Sequence, residues 1–185
     1  MRWRNDRAGY GGVAILLHWA IALVFLGEWP LGMLTQRSAE DPALQFELYQ
    51  WHKSVGFLIL ALALPRLVWS LASRRPAPAG GLGPAEILAS RAVHQALLAL
   101  SVAVPLAGWA IASSSPLRIP SYVFDLVVVP PLPLGVSDAA EAFWSELHAI
   151  LAYAAGALVL LHASAALAHQ FVRRDAVLRR MLPRR

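Results

Sequence analysis

Apolar residues run in four long blocks along the chain, and each block is interrupted by only a few polar side chains. The blocks cover approximately residues 13–34, 52–72, 92–112 and 147–170. Each reaches the roughly 20 residues that an α-helix needs to cross a hydrocarbon core of about 30 Å. Because a backbone in lipid must satisfy its own hydrogen bonds, the blocks are predicted to be helices. The pattern predicts an all-α fold, an integral membrane four-helix bundle that forms one domain.

The three connections differ in composition. The first, residues 35–51, contains three acidic residues and is predicted to be a short segment outside the membrane. The second, residues 74–84, is rich in Pro and Gly and is predicted to be a linker without regular structure. The third, about residues 113–145, contains five prolines that forbid a continuous helix. Its apolar part is too short to span lipid, so we expect it to lie at the interface or to cap the bundle.

Composition narrows the class of protein. Hydrophobic residues make up 58% of the 185 positions, far more than one soluble core requires, and the excess implies lipid. Without cysteine there can be no disulfide, thiolate-bound haem, iron–sulfur cluster or Cys-based zinc site. Histidine and carboxylates remain as metal ligands. The net charge of +5 arises from arginines that flank apolar segments, so no nucleic-acid partner is expected.

The basic residues predict the orientation. Four spans place both termini on one side, and 13 of the 16 basic residues fall on that side. Both termini are therefore predicted to be cytoplasmic. The first apolar block is longer than the core of a signal peptide, so we expect it to be a retained span. The 13 residues are Arg2, Arg4, Arg7, Arg66, Arg74, Arg75, Arg91, Arg173, Arg174, Arg179, Arg180, Arg184 and Arg185.

All six histidines lie within or at the ends of the apolar blocks. His18 and His162 fall at a similar depth in the inner halves of helices 1 and 4, whereas His52 and His148 begin helices 2 and 4 at the outer side. On a helix, His148 and His162 lie on one face, about 21 Å apart along the axis. The spacing predicts two cross-helix pairs at two depths, His18 with His162 and His52 with His148.

Two imidazoles that face each other suit a metal-porphyrin, and small residues near the histidines would let the macrocycle approach the helices. Each pair is therefore predicted to bind the iron of one haem. The alternatives are that a histidine merely bonds to a neighbouring helix, or that zinc binds, although zinc usually takes three or four clustered ligands.

Three further residues bear on these sites. Arg66 falls at the inner depth, where a haem propionate would be the partner that a cation in lipid needs. His94 opens helix 3 at the inner side and could replace His18 as the partner of His162. Depth favours His18, which leaves His94 in contact with a propionate or a ligand, or at the interface. Glu28, near the outer end of helix 1, is expected to be solvated at the outer interface, and the alternative is a contact with the outer site.

Several motifs resemble those of the bacterial cytochrome b561 family. They are LLHW in the first helix, WHKSVGFLIL and PRLVWSL in the second, HQALLALSVAVPLAGW in the third, and ELHAILAYAAGALVLLHASAALAHQF with RRDAVLRRMLP in the fourth. The resemblance covers nearly the whole chain. It implies a four-helix inner-membrane protein that transfers electrons through two b-type haems, one held by His18 and His162 and the other by His52 and His148.

The resemblance also implies ubiquinone or another quinone as a substrate at the inner haem, where His169 matches the position associated with quinone contact. Some members oxidise superoxide at the outer face. Here eight acidic residues against three basic ones are predicted on that face, which would repel an anion. The rival function is a haem-bearing membrane anchor for a periplasmic dehydrogenase or other redox partner, and a haem-free transporter or scaffold is a third.

Overall fold

The structure is a computed structural model and describes residues 3–7, 9–78 and 81–182. Four long helices dominate it, and each is long and apolar enough to cross a membrane. They are α1 (Gly12–Arg37), α2 (Pro42–Ala72), α3 (Pro84–Ser114) and α4 (Asp138–Ala168). A π-helical turn, His169–Arg173, continues α4, and a 3-10 turn follows at Leu178–Met181.

The helices form the predicted bundle, in which each helix packs against the next along the chain. Large apolar side chains point outward from every helix. Leu23 of α1, Val68 of α2 and Leu160 of α4 are 64%, 64% and 69% exposed. Apolar surface of this extent, on helices that bond their own backbone, is suited to lipid.

Three helices begin earlier than the apolar pattern predicts. Pro42 begins α2 ten residues before the predicted span, Pro84 begins α3 eight residues early, and Asp138 begins α4 nine residues early. The first connection therefore shrinks to residues 38–41, and the third to residues 115–137. The predicted boundaries are wrong because hydropathy detects only the part of a helix that lies in lipid, and a 31-residue helix is about 46 Å long.

Capping residues fix the early starts. The side chain of Asp41 accepts a hydrogen bond from the amide of Leu44 at 3.1 Å, and Pro42 occupies the first helical position. Ser137 accepts in the same way from the amide of Ala140 at 3.1 Å. A polar N-cap followed by proline or an acid is a sequence signal for a helix start. The caps in the sequence therefore indicated the correct starts of α2 and α4.

The third connection contains a small β-hairpin, an exception to the predicted all-α fold. Strands β1 (Ser121–Val123) and β2 (Val127–Val129) pair antiparallel. Ser54 of α2 donates to the carbonyl of Tyr122 at 3.0 Å and accepts from the amide of Phe124 at 2.9 Å. The hairpin therefore lies against α2, at one end of the bundle, as expected of a cap.

The N-terminal arm, the second connection and the C-terminal tail meet at the opposite end. The amide of Ala77 donates to the carbonyl of Arg7 at 3.1 Å, and Arg180 donates to the carbonyl of Ala77 at 2.6 Å. The indole of Trp19 donates to the carbonyl of Met181 at 2.6 Å. We call this the tail end and the other the hairpin end. Three basic residues that were used to predict the orientation, Arg2, Arg184 and Arg185, lie outside the described residues.

Candidate functional site

Two histidines face each other at the hairpin end. His52 lies ten residues after the start of α2, and His148 lies ten residues after the start of α4. Their ring centroids are 6.0 Å apart, and the rings are nearly perpendicular at 89°. The expectation that His52 and His148 begin their helices is therefore wrong, because each lies well inside its helix. The two nevertheless lie at one level, and we call them the hairpin-end pair.

A neighbouring helix places an oxygen close to Nδ1 of each ring of the hairpin-end pair. Nδ1 of His148 donates to the carbonyl of Val104 at 3.0 Å, and a Cβ on Gly108 would lie 3.2 Å from Cε1 of His148. Nδ1 of His52 lies 2.8 Å from Oε1 of Glu28, and a Cβ on Gly32 would lie 2.9 Å from Cε1 of His52. In both cases an oxygen lies close to Nδ1 of the ring. The glycine four residues after the residue that supplies this oxygen makes room for the ring.

Glu28 is buried at 8% exposure, so the expectation that it is solvated at the interface is wrong. Its contact with His52 explains the difference, because a carboxylate in an apolar interior needs a polar partner. Gly56 of α2 lies beside the carboxylate, where an added Cβ would be in ordinary contact with Oε1 at 3.6 Å. The contact is the alternative that the sequence left open, and the sequence did not favour it because a single span does not show which face of α1 meets α2.

The tail-end cluster takes one side chain from each helix: His18, Arg66, His94 and His162. The ring centroids of His18 and His162 are 6.1 Å apart, at an angle of 83°. His94 lies closer to His162, with centroids 5.1 Å apart. Nη2 of Arg66 donates to Nδ1 of His18 at 3.1 Å. The structure thus brings together all four residues that the sequence placed at the inner depth.

Trp29 fills the space between the two histidine levels. Its indole donates to the carbonyl of Ala152 at 3.3 Å, which links α1 to α4. A Cβ on Gly156 would lie 3.0 Å from the indole ring. The small residues in the middle of α4 therefore make room for Trp29.

His169 lies at the tail end, where α4 gives way to the π-helical turn. Its Nδ1 atom is 2.6 Å from Oδ2 of Asp175, whose amide donates back to the carbonyl of His169 at 3.1 Å. The pKa of Asp175 is held below its usual value, first by the amide of Val177 at 2.9 Å and then by His169. The sequence analysis missed Asp175, because the chain reverses after Arg174, whose φ is +55°.

A second polar contact lies beside this one. Arg173, in the π-helical turn, forms an ion pair with Glu86 in the first turn of α3. The pair ties the end of α4 to the start of α3. Because both side chains are well exposed to solvent, the pair contributes little to stability.

The two histidine pairs fit a haem better than a free metal ion. Two imidazoles that held one iron between them, with metal–nitrogen bonds of about 2 Å, would have their ring centroids about 6 Å apart. The pairs at the two levels match this separation, at 6.0 and 6.1 Å. Among the described residues, no three His, Asp or Glu side chains gather so as to hold an ion. The glycines beside the rings of the hairpin-end pair also suit ligands that must be held at a fixed position.

Comparison with known proteins agrees with this chemistry. The sequence profile of the family described as prokaryotic cytochrome b561 matches residues 9–184. The chain is 30% identical to "Cytochrome b561 homolog 2" of Escherichia coli (strain K12), over 98% of this chain and 95% of that protein. It is 26% identical to "Probable superoxide oxidase CybB" of Yersinia pestis, over 95% of this chain and 97% of that protein.

The family match covers most of the chain and includes all four membrane-spanning helices and both histidine levels. The chain therefore belongs to the prokaryotic cytochrome b561 family, multi-pass proteins of the bacterial inner membrane that carry b-type haem and transfer electrons across it.

Proposed function

We propose that the chain carries single electrons between a quinone at the cytoplasmic side and a redox partner at the periplasmic side, through two bis-histidine haems. One observation carries the proposal. Helix α4 presents His148 and His162 at two levels, and each meets a histidine of another helix at a centroid separation of about 6 Å.

In this proposal His52 and His148 hold one haem, and His18 and His162 hold the other. The centroid separation favours His18 over His94 as the partner of His162. The rings of His94 and His162 are 5.1 Å apart, which is less than the roughly 6 Å that two imidazoles would need to hold one iron between them. His94 then contacts a ligand or the haem edge. With the haem bound, Arg66 would pair with a propionate, since among the described residues this cation in the membrane has no carboxylate partner.

The orientation follows from the distribution of charge. The tail end gathers the N-terminal arm, the second connection and the C-terminal tail, which hold the arginine clusters. We assign this end to the cytoplasm by the positive-inside rule. The hairpin-end pair then belongs to the outer haem, and the tail-end cluster belongs to the inner haem.

A bound haem with two histidine ligands supplies one-electron transfer and has no open position for a substrate. Substrate chemistry therefore falls to residues at the edges of the site. His169 lies at the tail end, and a carboxylate at its Nδ1 atom leaves Nε2 as the position that takes a proton from a bound quinol. Quinone reduction uses the same residues in the opposite direction.

A count of haems in the purified protein tests the ligand set. We expect two haems per chain in the wild type, and the loss of one in each of His18→Ala, His52→Ala, His148→Ala and His162→Ala. His94→Ala is the matched control from the same cluster and should keep both. A single haem in the wild type, or a lost haem in His94→Ala with both retained in His18→Ala, would overturn the assignment.

Superoxide is a candidate for the outer electron donor, favoured by the similarity to the Yersinia pestis protein. Lys53 follows His52 directly, and its ammonium donates to the carbonyl of Pro120 at 3.0 Å, which holds one positive charge at the hairpin end. Purified protein should then reduce quinone when superoxide is generated. Lys53→Gln should slow this reaction while artificial donors are still oxidised at the wild-type rate. Co-purification of a soluble redox subunit, without superoxide activity, would instead support the membrane-anchor function.

A further inference from the structure

The two histidines of the hairpin-end pair have different partners at Nδ1. His148 meets a neutral backbone carbonyl, that of Val104, at 3.0 Å. His52 meets the carboxylate of Glu28 at 2.8 Å. The two rings are otherwise held alike, because each lies over a glycine four residues beyond the residue that supplies the oxygen. The two ligands therefore differ in the charge of the group that faces Nδ1.

We infer that Glu28 is a positioning residue that accepts the Nδ1 proton of His52 and thereby lowers the reduction potential of the outer haem. The inference deepens the proposed function, because it rests on His52 as an iron ligand. Glu28 does not touch the iron, so it acts through the imidazole.

The burial of Glu28 supports a specific partnership. Its side chain is 10% exposed, and that of His52 is 23% exposed. Oε1 lies toward His52, and Oε2 has no hydrogen-bond partner among the described residues. Nδ1 of His52 lies at hydrogen-bonding distance from Oε1 of Glu28, but the angle between them does not form a hydrogen bond in this structure. A buried carboxylate without a partner would be costly, so the pair stabilises both the glutamate and the ring orientation.

The effect on the iron follows from the charge of the acceptor. A carboxylate that takes the Nδ1 proton of a ligating imidazole makes the ring a stronger electron donor than a carbonyl does. A stronger donor favours the oxidised iron. His148, with its carbonyl partner, sets the neutral reference within the same site. The outer haem should therefore have one ligand of ordinary donor strength and one that is electron-rich.

Redox titration of purified protein with both haems bound tests this inference. Glu28→Gln keeps the size of the side chain and removes its charge. Glu47→Gln, at an exposed position of α2 near the same end, is the matched control for the loss of one negative charge. We expect Glu28→Gln to shift the reduction equilibrium of the outer haem about tenfold toward the reduced form, which is ~59 mV for one electron. The inner haem and the Glu47→Gln protein should stay at the wild-type values.

An unchanged outer potential in Glu28→Gln, or an equal shift in Glu47→Gln, would overturn the inference. Because Glu28→Gln could fail to fold, the wild type supplies a second measurement. In redox infrared difference spectra of protein with isotope-labelled glutamate, a labelled carboxyl band should titrate with the outer haem, and the label separates it from the haem propionates. Absence of such a band would also overturn the inference.

The His52→Ala and Glu28→Gln proteins together distinguish an error in the proposed ligand set from an error in the role of Glu28. If His52→Ala keeps both haems, the proposed ligand set is wrong, whatever Glu28 does. If His52→Ala loses the outer haem while Glu28→Gln leaves its potential unchanged, the ligand set stands and only the role of Glu28 is removed.

Discussion

His169 and Asp175 face each other across the turn that ends α4, with Nδ1 and Oδ2 2.6 Å apart. The backbone closes the same turn, because the amide of Asp175 donates to the carbonyl of His169 at 3.1 Å. The carboxylate therefore fixes the ring by its side chain and its main chain at once. A base positioned in this way exchanges protons through its other nitrogen.

The first prediction concerns quinone turnover. His169→Ala should slow turnover at least tenfold, and Asp175→Asn should slow it severalfold, because the amide no longer fixes the ring as a charged acceptor does. Both variants should keep two haems. Asp125→Asn, at the exposed turn of the hairpin, is the control for loss of an aspartate and should turn over at the wild-type rate. Unchanged turnover in His169→Ala would remove that residue from the quinone site.

The second prediction concerns pH. The pKa of Asp175 is lowered by the amide of Val177 and by His169, so its contribution to folding is complete above the ordinary aspartate pKa. It is lost as the pH falls through the lower, folded pKa. We therefore expect the amide of Val177 to be protected from hydrogen exchange at neutral pH and to lose protection in acid, below about pH 4.

Asp175→Asn should reproduce the loss of protection at neutral pH, because it removes the charge without removing the side chain. Amides in the middle of α4 serve as the internal reference. Equal protection of Val177 in the wild type and in Asp175→Asn would show that the carboxylate does not hold the turn.

The third prediction uses three glycines. A Cβ on Gly32 would lie 2.9 Å from His52, a Cβ on Gly108 would lie 3.2 Å from His148, and a Cβ on Gly27 would meet no atom within 4 Å. A free ring could move aside, but a ring bound to iron is fixed. Gly32→Ala should therefore reduce occupancy of the outer haem strongly, and Gly108→Ala should reduce it less.

Gly27→Ala is the control in the same helix. It should keep both haems and should stabilise α1 by about 0.5–1 kcal/mol, since alanine favours a helix over glycine. Haem-to-protein ratios, together with thermal unfolding, separate the two effects. Full haem content in Gly32→Ala would mean that the ring of His52 is not fixed where the structure places it.

Much of the site could be predicted because a membrane span constrains both depth and periodicity. The fourteen-residue spacing of His148 and His162 placed them on one face at two levels, and equal depth then selected their partners. The same argument from depth placed Arg66 in the tail-end cluster. The prediction needed only the position of each residue along its own helix.

Other features depend on how the helices turn toward one another, which no single span reveals. The contact of Glu28 with His52 joins α1 to α2, and the contact of Trp29 with Ala152 joins α1 to α4. Asp175 reaches His169 only because the chain turns back after α4. The early starts of α2 and α4 were missed for a different reason, since the capping residues Asp41 and Ser137 could have been identified from the sequence.

The last prediction concerns Arg66, whose guanidinium donates to Nδ1 of His18 at 3.1 Å. A cation beside a haem favours the reduced iron, because reduction lowers the net charge of the iron. Arg66→Met should therefore lower the potential of the inner haem, by on the order of 59 mV for a tenfold change in the equilibrium. The potential in Arg66→Lys should lie between those of the wild type and Arg66→Met, because lysine keeps the charge but loses the planar fork of the guanidinium. Arg91→Met, at an exposed position of α3 near the tail end, removes the same charge and should leave the potential at the wild-type value. The inner haem is the one that His162→Ala loses, so a spectroelectrochemical titration can follow it separately. If Arg66→Met shifted both haems equally, the arginine would act through the overall charge of the protein and not through a contact at the inner haem.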